Sequence, residues 1–402
     1  MFRKIADRIR NSNLDSRLLV PLLTVTALEQ AIAAIVLIGT SYRAVELDLS
    51  TAWIGVIAAA YSAFPIVMAV QIGRFIDRGN DALTIWIGSF VVAASSALFL
   101  LWPNPVAMLV ITAMIGSGHT MLMASQQMLC VRAAKTSRSR ESVFGNYMVA
   151  GAIGQALGPY IVGWAGGAAT VPPTQLLFMI VCGGAVLSLL VALTIRPNPE
   201  KPKRALDEKP VPIAELLRVP GLIPVVAAGV IMISAMDIIL IYVPLLGTER
   251  GIDVKDIGLL LTVRAGSAMV ARLFYARLVE GVGRFPLMIV STSFAAASFG
   301  ALAVPVPLFW MYIIMAVMGF AFGIATTLSI TIVIHLTEAR ARGTANTLRI
   351  MGNRLGQFAI PFGSGLVATA VGLSGLLGGI AVAILASATA IYWKRPGKVP
   401  PE

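Results

Sequence analysis

Twelve stretches of mostly apolar residues follow one another along this chain, at roughly 18–40, 51–73, 82–101, 105–131, 143–166, 173–195, 220–244, 256–276, 286–304, 308–334, 344–370 and 373–393. Crossing the hydrocarbon core of a bilayer as a helix takes about 20 such residues, and each stretch is of that order. A soluble fold is not available to them. With 57% hydrophobic and 12% charged residues over 402 positions, and a mean hydropathy of +0.85, the chain has too little polar surface to clothe a core in water. In lipid every backbone polar group must be bonded internally, so the spans are expected to be helices. The expected fold class is an all-α membrane protein with twelve transmembrane helices.

The chain also resembles itself. Trp53 to Asp77 aligns without a gap on Asp256 to Glu280 at an offset of 203 residues, with Ile54-Gly55 on Ile257-Gly258. Gly154, Gln155, Pro159 and Gly163 fall on Gly356, Gln357, Pro361 and Gly365 at an offset of 202. Six helices per half and a repeat of about two hundred residues describe two pseudo-symmetric six-helix bundles, an arrangement that in transporters places the substrate near the repeat interface. The expected organisation is an N-terminal bundle over 1–196, a cytoplasmic linker over 197–219 and a C-terminal bundle over 220–402. Pro197, Pro199, Pro202, Pro210 and Pro212 mark that linker as a mobile joint.

Basic residues set the expected orientation. Placing both termini in the cytoplasm puts 24 of the 31 Lys and Arg in cytoplasmic segments and only Arg43, Arg250 and Lys255 in outer loops. The remaining four, Arg264, Arg272, Arg349 and Arg354, fall inside expected spans. The net charge of +12 is therefore spread over inner loops, which argues against a nucleic-acid partner. The expectation is a multi-pass protein of the cell membrane, an inner membrane in a two-membrane cell, working as a monomer. Met1 to Arg10 reads equally as an interfacial amphipathic helix, with Phe2, Ile5 and Ile9 on one face, or as a basic tail. No cleavable leader is expected, because the first apolar run is of full spanning length and carries Glu29. Cys130 and Cys182 both sit in apolar spans, which excludes a disulfide framework, and no cofactor or metal is expected.

Two motifs carry a family resemblance. Gly73-Arg-Phe-Ile-Asp77-Arg78-Gly79, read as the turn after the second span, resembles the Gly-x-x-x-Asp-Arg-x-Gly signature of the major facilitator superfamily, although Gly79 comes one position early and Asn80 and Asp81 replace later basic residues. Gly73 would let two helices approach closely, and the resemblance gives Asp77, with Arg78, the role of a latch between halves. In the fifth span Gly145, Gly154, Gly158, Pro159 and Gly163 match five of the six fixed positions of a glycine-rich motif found in many proton-coupled drug exporters of that superfamily, with Val162 replacing one glycine. Small residues at this spacing make a groove for a neighbouring helix, and Pro159 permits a bend. The resemblance departs at Thr112, where those exporters carry an arginine, so the proton chemistry of that arginine does not transfer.

Buried charge supplies the remaining candidates, since an ionisable group within the bilayer costs about 2.5 to 3.5 kcal/mol on insertion scales. Glu29 lies mid-way along the first span, His119 along the fourth, Asp237 in the outer half of the seventh and Arg354 mid-way along the eleventh. In the family resembled, the first, fourth and seventh helices line the cavity, which makes Glu29, His119 and Asp237 the expected proton-coupling groups. Arg264 enters the eighth span at the depth of Asp237, and the two can form an ion pair with either a structural or a gating role. A carboxyl away from water is held more cheaply with its proton than without, so Glu29 is the leading group for proton exchange, and a substrate cation is its other partner. Arg264 and Arg354 offer two planar forks of donors to a carboxylate or phosphate. Arg272 and Arg349 sit nearer the cytoplasmic ends, where snorkelling or inner-gate pairing suffices. Gln126, Gln127, Asn353 and Gln357 add neutral hydrogen-bonding groups.

The leading expectation is proton-coupled efflux of a small organic compound by alternating access, that is, an antiporter. The alternative is an organic-anion importer or exchanger in which Arg264 and Arg354 hold the anion. A membrane-embedded enzyme is disfavoured, because His119 and His335 are the only histidines and no metal-ligand spacing or phosphate loop appears. A sensor built on a carrier fold stays open.

Overall fold

The computed structural model describes residues 16–102, 104–133, 137–196, 213–216, 218–338 and 342–394. These residues form helices joined by short turns. In chain order the helices are α1 (Ser16–Glu46), α2 (Thr51–Asp77), α3 (Asp81–Leu101), α4 (Pro105–Ala133), α5 (Ser137–Gly166) and α6 (Thr174–Ala192). After a single helical turn, Ile213–Leu216, come α7 (Leu222–Glu249), α8 (Val254–Val282), α9 (Arg284–Ala303) and α10 (Leu308–Leu336). The last trace, Arg342–Lys394, is broken at Gly372, whose φ of 74° and ψ of 175° only a residue without Cβ adopts readily, giving α11 (342–371) and α12 (373–394). The sequence places the same break between its last two spans.

Among the described residues ten stretches are long and apolar enough to cross a membrane, with α11 and α12 counted as one. Outside that set lies α5, diluted by glycine and by the charged run Arg138 to Glu141 at its start. Several helices outrun the apolar stretches that predict them. Instead of ending near 40, α1 continues to Glu46, while α5 begins at Ser137 rather than 143 and α8 reaches Val282 rather than 276. The reason is that helical hydrogen bonds persist into the polar interface, where lipid no longer selects the side chains. For the same reason Gly73 to Asp77 is the last turn of α2 and not a loop, and the chain reverses only at Gly79, whose φ is 84°.

The described residues fall into two compact units. The first combines Met1–Glu46, Ala60–Arg204 and Asp253–Gly258, and the second Leu47–Ala59, Ala205–Ile252 and Leu259–Glu402. Within the first, α1 packs against α4, α5 and α6, and α3 packs against α4 and α6. Within the second, α7 and α9 each pack against α10 and against the α11–α12 trace. The segment expected as a linker lies mostly outside the described residues, as does Met1 to Arg10.

Close helix crossings fix both units, and they come in pairs related by the repeat. In the first unit a side chain at Gly116 of α4 would collide with the backbone carbonyl of Tyr61 on α2. In the second unit the carbonyl of Arg264 on α8 lies against Gly319 of α10 in the same way. Tyr61 and Arg264, like Gly116 and Gly319, are 203 residues apart. Gly154 and Gly158 of α5 press on the backbone of α1 at Ala27 and Ala31, while Gly356 of α11 meets Val230 and Ser234 of α7. Such approaches replace the hydrophobic drive that lipid removes with backbone-to-backbone packing. Gly73 and Gly145 are different: a Cβ at either would meet nothing within 4 Å among the described residues. The expected close approach at Gly73 is therefore not what the fold uses that glycine for.

Candidate functional site

Each unit carries its own cluster of buried polar groups. In the first, Glu29 projects from the middle of α1 and is 2% exposed. Helix α4 lies beside α1 and supplies both of its partners. His119 Nδ1 stands 2.6 Å from Glu29 Oε1, and Gln126 Nε2 donates to Glu29 Oε2 at 3.1 Å. Residues 119 and 126 are two helical turns apart, so one face of α4 brackets the carboxyl from both sides. Gln126 is fully buried, and its Oε1 has no hydrogen-bond partner among the described residues.

A contact of 2.6 Å between an imidazole nitrogen and a carboxylate oxygen sets a pair of titratable side chains in the interior of the first unit. Aromatic groups enclose it. The ring of Tyr61 lies 5.7 Å from that of His119, and Tyr147 of α5, 8% exposed, bonds the side chain of Gln127 within electrostatic reach of Glu29. Neither tyrosine stands out in the sequence, although Tyr61 aligns with Arg264 in the repeat.

In the second unit Asp237 of α7 is half-buried, and Gln357 of α11 bridges it to Arg354. Gln357 Nε2 donates to Asp237 Oδ2 at 2.8 Å, and its Oε1 accepts from Arg354 Nη1 at 3.3 Å. A neutral amide thus separates the carboxylate from the guanidinium. Arg264 of α8 is 2% exposed, and Asp237 is the opposite charge acting on it. The carboxylate expected to pair with Arg264 acts on it electrostatically and also accepts a hydrogen bond from Gln357. Asn353, one residue before Arg354, is buried with its Oδ1 unpartnered among the described residues. Arg272, two turns further along α8, is the like charge that acts on Arg264, and Arg349 of α11 is buried.

At the end of α2 the side chain of Asp77 lies outside the described residues, Arg78 is exposed, and Gly79 takes the turn. The strong ionic contact nearby is one the sequence does not single out. Asp81, 4% exposed at the start of α3, receives Arg132 Nη1 on both carboxylate oxygens at 3.2 and 3.3 Å, while Arg132 Nη2 donates to the carbonyl of Arg196 at 2.6 Å. One guanidinium thereby ties the ends of α3, α4 and α6. In α5, Gly163 lies against Lys255 and Gly258 within the first unit, and Pro159 is inside the helix.

Comparison with known proteins agrees with this architecture. The family model described as Major Facilitator Superfamily matches residues 19–361 and 225–402. Among solved structures, a bacterial homologue of the human lysosomal transporter Spinster, in its inward-facing and occupied conformation, superposes with a TM-score of 0.79 at 15% identity, over 96% of this chain and 97% of that one. The nucleoside transporter NupG gives 0.77 at 14% identity over 95% and 100%, and a D-xylose–proton symporter 0.76 at 16% over 94% and 98%. At these identities the likeness is one of fold. No curated protein matches the sequence. Twelve helices in a double bundle, the family match across the chain and the fold of these neighbours lead to one conclusion: the chain belongs to the Major Facilitator Superfamily and is a multi-pass membrane transporter of the secondary kind, not an enzyme.

Proposed function

We propose that this transporter couples the movement of a proton, held at Glu29 and His119, to export of a small organic compound. The observation that carries the reading is the 2.6 Å contact between His119 Nδ1 and the almost fully buried carboxyl of Glu29. A group able to change its charge by one proton, set where an isolated charge is expensive, gains and loses that proton as its access to water changes. Gln126 holds the carboxyl in one place, which a group meeting the proton on alternate sides requires. Export is favoured by the glycine series Gly145, Gly154, Gly158, Pro159 and Gly163 in α5, of which Gly154 and Gly158 seat that helix directly on the helix bearing Glu29. Asp77 and Arg78 are proposed to latch the halves, and both termini to face the cytoplasm. Asp237 is proposed to take part through its link to Gln357 and Arg354.

The test is reconstitution in liposomes loaded with a pH-sensitive dye, with a panel of cationic, neutral and anionic solutes added outside. Solute-dependent proton movement in wild type that is lost in Glu29→Gln supports the reading. Solute flux without proton movement, equal in the two proteins, overturns it.

A further inference from the structure

The repeat sets α2, α3 and α4 on α8, α9 and α10 at a constant offset of 203 residues, and the helix starts coincide: Thr51 falls on Val254, Asp81 on Arg284 and Pro105 on Leu308. Within this likeness two positions change the surface. In the first unit a Cβ at Gly88 of α3 would stand 3.0 Å from the carbonyl oxygen of Gly118 on α4, and one at Gly118 would stand 2.8 Å from that of Gly88. The two helices meet there backbone to backbone. The second unit has Ser291 and Ala321 at the equivalent places, and their side chains keep α9 and α10 from meeting in that way. Both residues line a groove of about 490 Å³ walled by α8, α9 and α10. Its other walls include Val282, Phe294, Phe320 and Ile324. Phe294 and Phe320 are exposed at its rim, so the groove opens sideways onto the hydrocarbon around the spans.

The end of the groove differs between the units as well. In the first, Asp81 at the start of α3 is buried and held by Arg132 of α4. Their counterparts are Arg284 and His335, so the second unit has no equivalent ion pair. Arg284 is exposed and has no carboxylate partner among the described residues. Arg284, Leu287, Ser291 and Phe294 recur along one face of α9, which sets the guanidinium at the end of the groove. Arg277 and Glu280, both exposed on the last turns of α8, offset one another and leave the charge of Arg284 over. We infer that this groove seats an acyl chain of an anionic phospholipid whose phosphate rests on Arg284. The walls suit a hydrocarbon chain and give a soluble anion no reason to enter, while the guanidinium offers its fork of donors to phosphate oxygens. A zwitterionic lipid brings a positive charge to the same place and gains less. In the first unit the glycine crossing closes the groove and Arg132 is already engaged, so one such lipid is expected per chain. The site is independent of the proton coupling proposed above.

The experiment is native mass spectrometry of the full chain in mild detergent, titrated with phosphatidylglycerol, phosphatidylcholine and glycerol 3-phosphate, in wild type, Arg284→Gln, Arg284→Lys and Ala321→Phe. The expected result is one phosphatidylglycerol bound about fivefold more tightly than phosphatidylcholine, the worth of one arginine beside an anionic headgroup. That preference should be lost in Arg284→Gln and kept in Arg284→Lys, while Ala321→Phe fills the groove and weakens both lipids. Equal binding of the two lipids to wild type, or a preference undiminished in Arg284→Gln, overturns the inference. So does glycerol 3-phosphate bound as tightly as the phospholipid, a dimer that excludes both lipids, or lipid binding unchanged in a folded Ala321→Phe. If Ala321→Phe does not fold, the lipid preference of wild type and of the two variants at the exposed Arg284 still decides it.

Discussion

His119 Nδ1 and Glu29 Oε1 meet at 2.6 Å across the packing of α4 on α1, and Gln126 from the same face of α4 closes on the other carboxylate oxygen. The proposed proton site belongs to both residues, so under the proposal they act as a unit and their substitutions should not add. Glu29→Gln is expected to abolish solute-linked proton movement and His119→Gln to reduce it. The double variant should be no worse than Glu29→Gln. Initial rates of dye response in proteoliposomes check this, and independent, additive losses would contradict it.

The paired glycine crossings predict a stability pattern. Gly116→Val and Gly319→Val drive a branched side chain into the carbonyls of Tyr61 and Arg264, and overpacking of this kind costs about 1 to 3 kcal/mol. Gly145→Ala meets open space and removes a helix-interior glycine, so it should be neutral or stabilising by up to about 1 kcal/mol. Thermal unfolding in detergent, followed by loss of monodisperse protein, separates the two classes.

How much of this was legible in the sequence depends on what the bilayer selects. Apolar length alone located the helices, because lipid penalises every polar side chain within a span, and it missed their ends, such as the continuation of α1 to Glu46, because that penalty stops at the interface. Glu29, His119 and Gln126 were each named as candidates from buried charge or polarity. Their convergence was not visible, since which face of α4 meets α1 is a matter of packing between helices far apart in the chain. Tyr61 gave no signal of its own. Only its alignment with Arg264 could have drawn attention to it. The bridge from Asp237 through Gln357 to Arg354 was hidden for a similar reason: the sequence offers Arg264 as the partner of Asp237, and the neutral amide that links α7 to α11 carries no charge to draw attention to it.

Arg132 is expected to matter for folding and not for transport chemistry. Its Nη1 reaches both oxygens of the buried Asp81, so Arg132→Ala leaves that carboxylate short of its donor. Arg132 itself is partly exposed, and solvent moderates the loss, so a coupling of about 1 to 2 kcal/mol is expected from a double-mutant cycle with Asp81→Asn. Urea or thermal unfolding of the four proteins measures it, and a coupling indistinguishable from zero would show the contact to be incidental.

Gln357 holds Asp237 and Arg354 apart while bonding both. Gln357→Leu removes both hydrogen bonds at once, and solute affinity is expected to fall by about tenfold, the equivalent of about 1.4 kcal/mol. Gln357→Glu should be at least as damaging, because it removes the donor to Asp237 and sets a second carboxylate against it. Concentration dependence of transport in proteoliposomes reads both, and an unchanged KM in each would contradict the assignment of this bridge to the solute site.

Infrared difference spectroscopy of the reconstituted transporter, recorded as solute is added, tests the central claim most directly. If Glu29 exchanges a proton during transport, the difference spectrum carries a carboxyl C=O band in wild type that disappears in Glu29→Gln. A spectrum without any carboxyl band, or one whose band survives in Glu29→Gln, would contradict the account.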